Sequence, residues 1–566
     1  MEQGRAVRVL ADEIYDTVMG AAPVEATQLG DRRFDEALPD LTPDGQAVLA
    51  ATLDRYAADL DALAPEDLTV DERVTRDVAG HVLASARHEV QSGYIQFAAG
   101  PAVSGGNISS AASALLSGLP KVVLDTAEQA GAHIRRLREI PAHLRAAEDQ
   151  LRAGVARGRV PARRLLDATV RQIERYLATD ISADPLLLGS PTAAADVHGE
   201  MLHVLADVVR PAFARHRTVL TGDIAAHARP DDRVGVCWMP GGDALYREAT
   251  ALHTTTAATP EELHQLGLDL IADLAGEYRD LGGRVLGSTA VDGIFEHLRT
   301  AGALRFSTGQ QILDNAEVAL ARAQAAVGNW FATVPATPCE VREIPAVEAP
   351  ESTIAYYQPP TLDGRPGRYF VNTSAPRTRT RFEAEALAFH ESVPGHHTQI
   401  ARALELDQPV LQRVYYVTAF AEGWGLYAER LADEMGLYSD DTARLGMLSF
   451  DSWRACRLVV DTGMHTFGWS RDRAIEFMRA NSPQADNNIA NEVDRYIGWP
   501  GQALAYMTGR NRIMALRDRA IQALGSRFDI AAFHDVVLGH AAVPLWTLDR
   551  LVEEWIARER YGAAQR

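Results

Sequence analysis

Apolar residues recur at helical spacing through most of the 566-residue chain. The stretches "ADEIYDTVMGAAP" (11–23), "DGQAVLAATLDRYAADLDALAPED" (44–67) and "PARRLLDATVRQIERYLATDIS" (161–182) keep one apolar face and end at Pro, Gly or Asp/Ser turns. "TPEELHQLGLDLIADLAGEYRDLGG" (259–283) starts with Thr259 as N-cap, Pro260 in the first helical position and Glu262 at the capping-box position. Period-two alternation is confined to 352–373, "STIAYYQPPTLDGRPGRYFVNT", where two β-branched or aromatic runs flank a Pro/Gly/Asp turn and predict a hairpin. Helical spacing returns after 380, and no fixed-period repeat or low-complexity tract appears. The expected fold is mainly α: a large, two-lobed, multi-helix fold with a central cleft and a small β-hairpin beside it.

Composition shifts around 230–250, "RPDDRVGVCWMPGGDALYREA", which suggests a seam. The expected lobes are therefore 1–230 and 231–566. A Gly/Ser-rich stretch at 98–118 reads as a loop entering a helix, and its "SGGN" matches no phosphate-binding fingerprint.

The net charge of −20 repels phosphate backbones and anionic lipid, which argues against nucleic acid and membrane surfaces as partners. It also leaves open an acidic cleft that favours cationic ligands. The cysteines, Cys237, Cys339 and Cys456, lack CxxC pairing, so neither a disulfide scaffold nor a cysteine–zinc site is expected. The start, "MEQGRAVRVLADEIYDTVMG", has no apolar core of the signal-peptide kind. No apolar run reaches the ~18 residues of a membrane span. The expected location is cytoplasmic.

Candidate chemistry concentrates in "HESVPGHHTQ" (390–399). A zinc-protease helix wants histidines four apart, so that both imidazoles face one ion. Here Pro394 holds that position, and the next histidines are His396 and His397. Residues six apart on a regular helix diverge, and residues seven apart are about 10 Å apart along the axis. Pro394 breaks the backbone bond to residue 390, and Gly395 tolerates unusual angles. Together they permit a local bulge that returns a histidine to the site. The alternative is a helix that stops at Val393 with exposed histidines beyond. The next apolar stretch, "VYYVTAFAEGWGLYAERLADEMG" (414–436), carries Glu422 on its apolar face. A buried carboxylate is costly unless paired or metal-bound. His390, one of the two following histidines and Glu422 would leave a fourth position open, the catalytic arrangement of zinc. Glu391 would then be the general base acting on water, and Glu429, two turns beyond Glu422, either a group that orients a ligand histidine or a surface carboxylate on an ordinary helix.

The chain resembles the DUF885 family, itself related to helical zinc peptidases of the gluzincin type. The resemblance runs through "PVEATQLGD" (23–31), "MPGGDALY" (239–246), "GRYFVNT" (367–373), "HESVPGHHTQ", "AEGWGLYAE" (421–429), "DSWRACRLVVDTGMHTFGW" (451–469) and "EVDRYIGWPGQALAYMTG" (492–509). It implies one zinc ion per chain on His390, His396 and Glu422, with His397 in a supporting or surface place.

Further candidates lie downstream. Arg454, Arg457 and Asp461 share one helix face and read either as a buried Arg–Asp network or as a grip on a substrate carboxylate or oxyanion, with His465 as a second candidate for that work. In "RYIGWPGQALAYMTGR" (495–510), the resemblance implies Tyr506 as the oxyanion donor, with core packing the alternative for a buried tyrosine, and Gln502 is a candidate substrate contact. Tyr246 and the hairpin are expected to line the cleft. The function these residues predict is zinc-dependent hydrolysis of a peptide or amide bond. The alternatives are a metallohydrolase of a small amide-like metabolite and a non-catalytic binding protein.

Overall fold

The computed structural model describes residues 2–101, 109–189, 195–345, 349, 353–362 and 364–564. The "SGGN" segment lies outside the described residues.

Local capping chemistry sets several helix starts. Thr69 and Glu72 cap each other at Val70–Gln91, Thr126 and Gln129 do so at Ala127–Ala156, and Thr259 and Glu262 do so at Pro260–Leu286. Each satisfies backbone N–H groups that the first helical turn leaves unpaired. The elements that matter below are α1 (Glu2–Ala21), α2 (Pro43–Asp61), α3 (Val70–Gln91), α4 (Gly242–Thr254), α5 (Pro260–Leu286), α6 (Ala384–Glu391), α7 (His396–Leu404), α8 (Thr418–Glu434), α9 (Asp441–His465), α10 (Asp486–Gly498) and α11 (Ala505–Leu524).

The fold is mainly helical, as the apolar periodicity predicts. Its apolar interior falls into separate clusters. One joins α1, α2 and α3 to α8, α11 and the C-terminal helices. Another surrounds α9, which is buried along nearly its whole length and runs beside α5. A third lies among helices between residues 99 and 224. No described helix is long and apolar enough to cross a membrane.

The predicted hairpin forms: β2 (Ala355–Gln358) pairs antiparallel with β3 (Gly367–Val371), with Tyr356 opposite Phe370. A further strand, β1 (Cys339–Glu343), pairs parallel with β3, giving the order β1–β3–β2. Central β3 alternates buried and half-buried positions, whereas β1 buries only Cys339. An edge strand of sequence "CEVRE" carries too little apolar alternation to read as a strand on its own.

Candidate metal centre

The helix carrying His390 ends at Glu391. Pro394 has no N–H to offer the His390 carbonyl. A Cβ at Gly395 would overlap the carbonyl oxygens of His390 and Phe389, so only glycine lets the chain double back there. The Val393–Pro394 peptide is cis. The Trp424 indole N–H donates to the Pro394 carbonyl at 2.9 Å and fastens the turn to α8. A new helix, α7, starts at His396. The expectation of a bulge within one helix is therefore corrected to two helices joined by a tight turn. The helix does stop, but the histidines beyond it are buried rather than exposed.

The turn brings the His390 and His396 rings to 4.6 Å between centroids. Glu422 projects from α8 between them, its Oε2 lying 3.6 Å from His390 Nε2 and 3.5 Å from His396 Nε2. Helix α8 comes this close because residue 425 is glycine: a Cβ there would sit 2.6 Å from His390 Cε1. One ligand atom from each of His390, His396 and Glu422 falls within 4.8 Å of the others. All three residues are buried. Glu429 accepts from His390 Nδ1 at 2.8 Å, which leaves Nε2 facing Glu422. Burial disfavours the charged imidazole of His390, but its contacts with Glu422 and Glu429 prevail and lift it to about 9. Burial likewise opposes ionisation of Glu422, and the same two histidines overcome it and hold its carboxyl well below the usual range. Among the described residues, His396 Nδ1 and Glu429 Oε2 are buried without a hydrogen-bond partner.

His397 faces away from this cluster. Its Nε2 donates to the Thr337 carbonyl at 3.0 Å, and its Nδ1 accepts from the Tyr357 hydroxyl of β2 at 2.9 Å. It is buried and ties α7 to the sheet, which corrects its placing beside the ligands or on the surface.

Glu391 is half-buried next to His390. Burial raises its carboxyl, while His396, His390 and Arg454 pull the other way. Tyr506, on the first turn of α11, is buried with its ring 4.1 Å from the Arg457 guanidinium and 5.9 Å from that of Arg454. Arg457 donates to the Tyr496 hydroxyl and to Glu492, both at 2.8 Å. Gln502 accepts from Arg495 at 3.2 Å and supports that same group. The Arg–Asp reading of α9 needs correction, because Arg457 pairs with Glu492 of α10 and not with Asp461. Asp461 instead accepts from the Tyr246 hydroxyl at 2.7 Å and from the Gly501 N–H at 3.0 Å.

Tyr246 and His465 do not join the site. Tyr246 is fully buried against Asp461. His465 has both ring nitrogens occupied by backbone: Nδ1 accepts from Val236 N–H at 3.1 Å and Nε2 donates to the Tyr496 carbonyl at 3.0 Å. Burial pushes it down to about 4. At ~1.5 Å per residue it also lies about 16 Å along α9 from Arg454. A neutral histidine locked between two peptide groups has no atom free for substrate.

Sequence reasoning missed Tyr416. Its hydroxyl donates to Glu422 Oε1 at 2.9 Å, and its ring lies 6.3 Å from that of His396. Tyr416 is 41% exposed because it lines a cavity of about 1850 Å³, whose wall also includes Glu25, Glu89, His253 and Trp499. Nothing in "RVYYVT" separates Tyr416 from its neighbour Tyr415, since both fit a buried aromatic position equally well.

The whole chain superposes on solved structures. One is a provisionally named lipoprotein from Colwellia psychrerythraea, with a TM-score of 0.90 and 24% identity over 98% of this chain and 99% of that one. Another is a provisionally named lipoprotein of unknown function from Shewanella oneidensis, with a TM-score of 0.74 and 18% identity over 96% of this chain and 98% of that one. At these identities the likeness is one of fold. No curated protein matches the sequence. The profile of a bacterial family of unknown function, DUF885, matches residues 23–552. The chain is a member of the DUF885 family.

Proposed function

We propose that the protein is a zinc-dependent hydrolase of peptide or amide bonds, of gluzincin-like chemistry, with one ion per chain. The observation that carries this reading is the convergence of His390, His396 and Glu422 beside Glu391. Two imidazole nitrogens and one carboxylate oxygen form a donor set of the catalytic zinc type. The fit is supported by Glu429, which holds the His390 tautomer that would leave Nε2 free to ligate. When bound, a divalent ion supplies Lewis acidity and makes water acidic near neutral pH.

The chain's own residues would do the rest. Glu391 takes a proton from the attacking water and returns it to the leaving nitrogen. Burial raises its carboxyl toward the working pH, where a general base is most effective. Tyr506 donates its hydroxyl to the developing oxyanion, and Arg457 beside its ring favours negative charge there. Tyr416 fixes the Glu422 carboxylate from the cavity side.

A peptide is favoured over a small metabolite by size. The cavity that Tyr416 lines, of about 1850 Å³, exceeds the ~300–1,000 Å³ typical of small-molecule pockets. An intact Glu391 speaks against a purely binding role. The lipoprotein names belong to the two structural relatives and carry no location to this chain.

The direct test is Glu391→Gln, assayed against a peptide library with the metal content measured in parallel. The expected result is retained metal and a loss of turnover of roughly 10²–10⁴-fold. Full turnover in the variant would refute the role of Glu391.

A further inference from the structure

Arg430, Arg457 and Arg510, around α9, have carboxylate partners, and Arg454 has no hydrogen-bonded one among the described residues. Arg430 and Arg510 both bind Asp451, the latter at 2.7 Å, and Arg457 binds Glu492 at 2.8 Å. Arg454 is only 4% exposed, yet its Nε and Nη1 are buried without a partner among the described residues. Its guanidinium is held by rings rather than by acids: it stacks 4.2 Å from the Trp453 ring and 4.5 Å from that of Phe450. Such stacking fixes the plane of the fork while leaving its N–H edge unused.

A buried cation with no hydrogen-bonded counter-charge is unfavourable, and ordinary packing gives no reason to keep one. Burial pulls the Arg454 guanidinium below its usual range, and the Glu429 carboxylate only partly opposes this. The position is also specific. Arg454 lies 5.9 Å from the Tyr506 ring, on a helix that packs against α6 and α8, which carry His390 and Glu422. The unused N–H groups therefore lie on a side chain beside the proposed oxyanion donor.

We infer that Arg454 receives a carboxylate of the substrate, so that the protein acts on molecules with a free carboxylate close to the scissile bond, such as the C-terminal unit of a peptide. The planar fork of arginine matches a planar carboxylate through two parallel hydrogen bonds. The carboxylate replaces the missing counter-charge and sets which bond is presented to Glu391. An endopeptidase or a neutral amide would leave Arg454 unpaired. This substrate class rests on the hydrolase reading, but the binding of the carboxylate does not.

The test therefore measures binding and not turnover. Calorimetric titration of the full-length protein with N-acetyl-phenylalanine and with its amide compares ligands that differ only at the carboxylate. The acid is expected to bind about tenfold or more tightly than the amide. Arg454→Met should abolish that preference while leaving amide binding unchanged. Arg454→Lys keeps the charge and stem but lacks the fork, so it should also lose most of the preference and serves if the methionine variant does not fold. Glu391→Gln should keep the preference intact, whatever it does to hydrolysis. Equal binding of acid and amide by wild type, no binding of either, or a preference that survives in a folded Arg454 variant would each overturn the assignment. Inorganic phosphate binding more tightly than the acid would do so as well.

Discussion

Glu429 Oε1 lies 2.8 Å from His390 Nδ1, and both side chains are buried. This bond decides which imidazole nitrogen points at Glu422, because a ring nitrogen that donates to a carboxylate leaves the other one as the acceptor. Glu429→Ala should therefore weaken zinc affinity by roughly 10–100-fold, measured by competition with a chromogenic chelator. Unchanged affinity in a folded variant would mean that the bond merely satisfies a buried histidine.

Tyr506→Phe removes a hydroxyl and nothing else, so the packing against Arg457 should survive. Loss of one oxyanion donor is worth about 2.7–4 kcal/mol, or roughly a hundredfold or more in kcat, with KM and Tm nearly constant. A variant that keeps its kcat but melts earlier would identify Tyr506 as a packing residue.

Asp461 gives a pH signature remote from the metal cluster. Burial raises its carboxyl from 3.8 to about 7, against hydrogen bonds from Tyr246 and Gly501. A carboxyl raised in the folded state stabilises the fold below its unfolded pKa, and that contribution is lost as pH rises through the folded value. The window is thus about pH 4 to 7. Asp461→Asn cannot ionise, so its Tm relative to wild type should be higher at pH 8 than at pH 5. A difference that stays flat across this window would show that Asp461 is ionised throughout.

Legibility in the sequence followed the range of the forces involved. Helix starts at Thr259 and the β2–β3 hairpin depend on neighbours a few residues away, and both could be read directly. That His390 and Glu422 would meet one of the two histidines after the break was legible too, because Pro394 and Gly395 mark the break and Glu422 has the wrong polarity for its helix face; the choice of His396 over His397 came from the family resemblance. How the break is made was not legible. It depends on the Trp424 N–H reaching the Pro394 carbonyl from another helix. Residue type alone also misplaced Tyr246 and His465, whose partners are Asp461 and two peptide groups distant in sequence. The unpaired state of Arg454 was hidden for the same reason, since only the folded chain shows which arginines lack an acid.

The central claim is a metal centre on His390, His396 and Glu422, and zinc stoichiometry tests it most directly. Wild type, His396→Ala and His397→Ala would be purified alike, checked by thermal melting and analysed for bound zinc by atomic emission. The account predicts one zinc per chain in wild type, near-complete loss in His396→Ala and full retention in His397→Ala, whose ring serves Tyr357 and Thr337. Equal zinc in His396→Ala and wild type would contradict it.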